Sequence, residues 1–451
     1  MITALFFILG LVLLVAGAEW LVGGSASVAR RFGIPPLVIG LTIVAFGTSA
    51  PEMAVSAKAS LAGQGELALG NLIGSNIFNI LFILGISALV TPLVVARQII
   101  RIEVPLVIGF TLLLIYMGSD GVITWGEGAV LLGAIVVYTI AQGIGASLSG
   151  DAGADENPAK PMAIGKAMML IALGLTFLVL GARFLVDSAV EIARHFGVSE
   201  VVIGLTVVAA GTSLPEVATS VMASIRGQRD IAVGNVMGSN IFNLLAVGGI
   251  AGILSPAPLA ISDHLLWVDL PVALAAAAVC IPIFVSGATI SRREGALFLV
   301  FFLFYNSYIV LSATDHDWVG PLAVLFSWAL IPATMLVLSE TLREHRREVM
   351  GQLDQLRWKQ RRQLRMQLVT LQKHTLRFAG VVLALPLIIM ATGLVQGRYL
   401  VPLTIVIVIV FWYVVRGRLL ALRRASGRRV RRDGMTPVRD EEVHRRHPLE
   451  P

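Results

Sequence analysis

Cysteine is nearly absent: Cys280 is the only one in 451 residues, so no disulfide can form within the chain. Charge is scarce as well. Asp, Glu, Lys and Arg make up 14% of the residues, while 56% are hydrophobic and the mean hydropathy is +0.84. A soluble domain carries about 25% charged residues, so this composition belongs in a bilayer. No basic residue precedes Arg30. A secretory signal needs a positive segment ahead of its apolar core, so the first apolar stretch reads as a retained transmembrane helix. Neither end carries a lipidation motif. No P-loop, nucleotide fingerprint or catalytic triad is present, which argues against ATP-driven transport and against an enzyme. The net charge of +7 lies mostly in 341–377 and 416–447, beside apolar spans. That placement points to membrane orientation rather than to nucleic acid.

Long hydrophobic runs are what the chain does have. At about 20 residues per crossing, ten spans are expected up to residue 312: roughly 2–29, 35–60, 66–92, 100–118, 123–146, 164–194, 199–224, 230–254, 264–286 and 292–312. A polar, Gly- and Pro-bearing stretch, 147–163, joins two sets of five. The organisation read from this is a first half at 1–146, a cytoplasmic connecting loop, a second half at 164–312 and an extension at 313–451. The extension holds one span, a basic helix at 341–377, two more spans and a basic tail. The basic helix suits anionic lipid headgroups.

The two halves repeat each other. Gly40–Glu52 and Gly204–Glu216 share Gly-Thr-Ser-x-Pro-Glu, and each is followed by Gly-Ser-Asn-Ile-Phe-Asn, ending at Asn79 and Asn243. The offset is constant, since 216 − 52 and 243 − 79 are both 164, and 17–85 aligns on 181–249 without a gap. Five spans per half is an odd number, so the second half enters the membrane from the opposite side. Arg30, Arg31, Arg97, Arg101, Arg226, Arg229, Arg292 and Arg293 then share one face. Taken as cytoplasmic, it puts the N-terminus outside and the C-terminus inside.

Glu52 and Glu216 fall within apolar spans, where a lone carboxylate costs about 2.5–3.5 kcal/mol. Pro51 and Pro215 each remove an amide hydrogen, breaking the helix where carbonyls can face a cavity or an ion. Thr48 and Glu52, Ser75 and Asn79, and Ser239 and Asn243 are four residues apart and are expected to share helix faces. The motifs contain neither His nor Cys, so the ligands are hard oxygens, suited to calcium or sodium rather than to zinc or copper. Gly70, Gly74, Gly234 and Gly238 have the spacing of close helix contacts. Asn71 and Asn235 read as interhelical hydrogen bonders, and Glu19, Asp187, Glu191 and Asp269 as structural or interfacial charges. Glu19 breaks the repeat, because its counterpart is Arg183.

The doubled motifs resemble the alpha repeats of the calcium/cation antiporter superfamily, the sodium/calcium exchangers. The resemblance covers about 1–312. It implies an all-α polytopic membrane protein of ten helices in a 5+5 inverted repeat, with about three further helices at the C-terminus. It implies Glu52 and Glu216 as central carboxylates and Thr48, Ser49, Thr212 and Ser213 as hydroxyl or carbonyl ligands. Ala45 and Ala209 match the backbone carbonyl ligands, and Ser75, Asn79, Ser239 and Asn243 the remaining ones. Some relatives have Asp where this chain has Asn243; with Asn the site holds two carboxylates, which weakens any case for potassium co-transport. The transported ions implied are Ca²⁺ and Na⁺, with no resident cofactor and no nucleotide or nucleic-acid partner. Proton/calcium exchange on the same fold, a cation channel and a non-transporting membrane scaffold are the alternatives.

Overall fold

A computed structural model of the chain describes residues 2–149, 162–198, 200–203, 206–207, 209–285, 288–314, 316 and 318. Most of the connecting loop, and the extension from 319 onward with its basic helix, lie outside the described residues.

The hydrophobic runs fold as helices: α1 (Ile2–Phe32), α2 (Pro36–Thr48), α3 (Ala50–Leu61), α4 (Gly65–Val90), α5 (Ile99–Asp120), α6 (Trp125–Ser149) and α7 (Ile164–His195). The second half continues with α8 (Glu200–Ile203), α9 (Ala209–Gly211), α10 (Leu214–Ile225), α11 (Arg229–Leu254), α12 (Leu265–Ile281) and α13 (Arg292–Ala313). Among the described residues, seven helices are each long and apolar enough to cross a membrane, and α2 with α3 makes an eighth as one bent span. The segment expected at 199–224 is helical at Glu200–Ile203, Ala209–Gly211 and Leu214–Ile225, and that expected at 264–286 at Leu265–Ile281. The chain is an all-α polytopic membrane protein.

Helices α1 and α7 run antiparallel along a seam of small residues. A Cβ on Gly17 would lie 2.8 Å from the Gly174 carbonyl oxygen, and one on Gly181 would lie 2.8 Å from that of Gly10. Glycines seven residues apart keep one narrow stripe facing the partner, as in a coiled coil, and the missing side chains let the backbones touch. Gly174→Ala would put a methyl 2.7 Å from the amide nitrogen of Leu21. Neither backbone can yield locally, so the variant is expected to lose about 1–3 kcal/mol. A lowered melting temperature of the detergent-solubilised protein is the check.

Four short strands join the halves. β1 (Leu93–Val94) pairs with β4 (Thr289–Ile290), and β2 (Val122–Ile123) pairs with β3 (Leu259–Ala260), both antiparallel. β1 follows α4 as β3 follows α11, so these two are repeat counterparts. They nevertheless lie at opposite ends of α5, because β3 is bonded to β2, which is separated from β1 by the length of α5. Two helices carry the core. Every residue from Ile231 to Gly249 of α11 is buried, and Ser75–Ile80 of α4 is buried as well. Both helices widen into one π-helical turn at equivalent places, Asn79–Ile83 and Asn243–Val247. Such turns concentrate at functional sites.

Candidate cation site

The polypeptide breaks where the prolines foretell. Ser49 leaves helical geometry at φ −80°, ψ 4°, and α3 starts with Pro51 in its first turn, bent by 44° from α2. Ser213 does the same at φ −89°, ψ 7° ahead of Pro215 and α10. Glu52 and Glu216 therefore stand in the first turns of α3 and α10, where unpaired amides favour negative charge. Both carboxylates are 0% exposed.

The halves exchange donors across the centre. Ser213 Oγ donates to Glu52 Oε1 at 2.8 Å, and Ser49 Oγ donates to Glu216 Oε1 at 3.2 Å. Ser75 Oγ is 3.5 Å from Glu52 Oε1 and 3.2 Å from Ser213 Oγ. Thr48 Oγ1 lies 3.4 Å from Ser239 Oγ and donates to Asn235 Oδ1 at 3.1 Å. It also lies 3.4 Å from the Ala45 carbonyl oxygen, which accepts the Ser49 amide at 3.0 Å. Thr212 Oγ1 donates to Asn71 Oδ1 at 3.4 Å. Ala209 lies in α9.

The helix face expected for Thr48 and Glu52 is not continuous. The break at Ser49 turns Thr48 toward α11 and Glu52 toward α4 and Ser213. Asn71 and Asn235 bridge helices as read. Asn71 Nδ2 donates to Ser56 Oγ at 2.9 Å and to the Glu52 carbonyl oxygen at 3.3 Å, and Asn235 Nδ2 donates to Ser220 Oγ at 3.0 Å. Sequence reasoning passed over Ser56, Ser220, Asn76 and Asn240, although the 164-residue offset pairs each with its counterpart. Asn76 Nδ2 donates to the Asn240 carbonyl oxygen at 3.3 Å. Gly234 and Gly238 pack against Leu37, Gly40, Leu41 and Ala45 of α2, whereas Gly70 and Gly74 are half-buried and make no such close contact.

Several buried polar atoms have no hydrogen-bond partner among the described residues. Among them are Oε2 of Glu52 and of Glu216, Oδ1 of Asn76, and both amide atoms of Asn79, Asn240 and Asn243. Buried polar groups are normally satisfied by protein, water or an ion, so the bare oxygens here fit a cation. The described residues contain no cluster of three or more His, Cys, Asp or Glu side chains. What surrounds the two carboxylates is neutral oxygen, the ligand chemistry of calcium and sodium.

The family of sodium/calcium exchanger proteins matches the chain over residues 2–143 and 166–311. This chain belongs to that family. It is 39% identical over 259 residues to the inner membrane protein YrbG of Escherichia coli (strain K12), covering 55% of this chain and 79% of that protein. With the sodium/calcium exchanger MaX1 of Methanosarcina acetivorans it shares 28% identity over 343 residues, 67% of this chain and 97% of the relative. The solved sodium-calcium exchanger NCX_Mj, soaked with Na⁺ and Sr²⁺, superposes with a TM-score of 0.59 at 31% identity, covering 68% of this chain and 98% of NCX_Mj. The chain is thus an integral membrane cation antiporter of the exchanger family, not an enzyme.

Proposed function

We propose that this exchanger swaps Na⁺ for Ca²⁺ across the cell membrane by alternating access, expelling Ca²⁺ as Na⁺ runs inward. The observation that carries the reading is the central pair. Two fully buried glutamates come from separate repeats, each holds a hydroxyl donated by the other repeat, and each keeps one oxygen bare. Two negative charges match one divalent ion, and several smaller monovalent charges compete for the same oxygens. Thr48, Ser49, Ser75, Asn79, Thr212, Ser213, Ser239 and Asn243 supply neutral oxygens, and Ala45 and Ala209 backbone carbonyls.

The fold proposed around this site is a ten-helix inverted repeat, five helices per half, with the N-terminus outside and the C-terminus cytoplasmic. Its support is the pairing of β2 with β3 and the placement of β1 and β3 at opposite ends of α5. In this reading α1 and α7 slide as a pair past the site. The basic segment 341–377 rests on anionic lipid.

Proton-coupled calcium exchange is the second reading. The same bare glutamate oxygens favour it, because each can take a proton instead of a sodium ion. The experiment is radiolabelled calcium uptake into vesicles of purified protein preloaded with sodium and diluted into sodium-free buffer. A parallel set carries only a proton gradient. Uptake that follows sodium is expected; uptake that follows protons alone replaces sodium as the driving ion, and uptake under neither condition removes calcium antiport.

A further inference from the structure

The repeat is broken at one charged contact. Glu19, in α1, accepts from Arg226 Nη2 at the end of α10, the helix that carries Glu216. Both side chains are about half-exposed. Under the 164-residue offset the counterpart of Glu19 is Arg183 and that of Arg226 is Ala62, so no mirrored pair can form. Arg183 instead lies 3.8 Å from Asp187 of its own helix. Packing is broken in the same place. α1 lies along α10, whereas its counterpart α7 has no comparable contact with α3, the counterpart of α10. All four helices are among the described residues.

In an inverted repeat, the two access states exchange the roles of the halves. The interface between α1 and α10 then belongs to the state seen here, and an interface between α7 and α3 replaces it in the other. A half-exposed carboxylate–guanidinium pair at the end of a span contributes modestly, which is enough to tilt the balance between two states of similar energy. We propose that Glu19 and Arg226 form an ion-pair latch that holds α1 against the Glu216-bearing helix in one access state and has no replacement in the other. It acts on position: it fixes where α1 rests relative to Glu216 and makes the two states unequal in population. The proposal rests on the alternating-access reading above, and neither residue belongs to the ion site.

Hydrogen exchange followed by mass spectrometry on the full chain in lipid nanodiscs tests it, using Glu19→Gln, Arg226→Gln and the charge swap Glu19→Arg with Arg226→Glu. Each single variant is expected to raise exchange across Leu214–Ile225 several-fold and to lower it across Ala50–Leu61, as α7 moves to cover α3. The swap is expected to restore the wild-type pattern. A rise in both segments together would show simple loosening and overturn the latch. So would unchanged exchange, or a swap no better than the single variants. The readout does not depend on the transported ion. Reciprocal exchange without gradient-driven calcium uptake in the wild type would keep the latch and remove the calcium assignment; uptake without reciprocal exchange would do the reverse.

Discussion

Glu52→Gln and Glu216→Gln are each expected to abolish the proposed sodium-driven calcium uptake while leaving a folded protein. Each substitution removes one of the two buried carboxylates of the candidate cation site but keeps the side-chain volume and the oxygen that Ser213 or Ser49 contacts. Removing one charge from a buried, hydrogen-bonded ion contact costs about 2–5 kcal/mol, so the calcium needed for half-maximal transport is expected to rise by about 30-fold to several thousand-fold. Stability moves the other way. A buried carboxylate without a bound cation is a liability, so in ion-free buffer the glutamine variants are expected to melt no lower than the wild type. Added calcium raises the melting temperature only of a protein that binds it. A melting series with and without calcium separates the two effects. Uptake retained in either variant would remove that glutamate from the site.

Gly238→Ala is the second large effect, and it acts through packing. A Cβ there would lie 2.7 Å from the Leu41 carbonyl oxygen and 2.7 Å from the Ala45 Cβ. Real Cβ atoms do not approach so closely, and α11 is buried all round at this level, so α2 must give way. What moves is the segment that carries Ala45 and Thr48, and Thr48 sits 3.1 Å from Asn235 and 3.4 Å from Ser239 of the helix being widened. Overpacking of this kind costs about 1–3 kcal/mol, and to the extent that the strain is relieved by displacing Thr48 the calcium response is expected to weaken, by up to about 150-fold. Adding Ala45→Gly removes the clash between the two Cβ atoms but not the clash with the backbone oxygen. Partial recovery of uptake in the double variant is the expected result. Full activity of Gly238→Ala alone would show that this contact can open freely.

The two predictions differ in how far the sequence alone supports them. Composition and run length set the membrane and the helices, because a bilayer offers backbone groups no partner outside a helix or a closed barrel. The doubled Gly-Thr-Ser-x-Pro-Glu sets the breaks and the central acids, because proline removes an amide hydrogen wherever it falls. The constant offset pairs Glu52 with Glu216 and Asn79 with Asn243.

Who touches whom across the repeat was decided only by the tertiary fold. The donor to Glu52 is Ser213, 161 residues away, and not its neighbour Ser49, which serves Glu216 instead. A pattern within one helix cannot foretell that, since the break at Ser49 redirects the side chains on either side of it. The same holds for α1. The sequence shows Glu19 facing no matching acid in the second repeat, but that its partner is Arg226, 207 residues on, follows from where α1 comes to rest against α10. Local chemistry fixes which groups are available. The close packing of two inverted halves, along seams where glycine lets the backbones touch, fixes which of them meet.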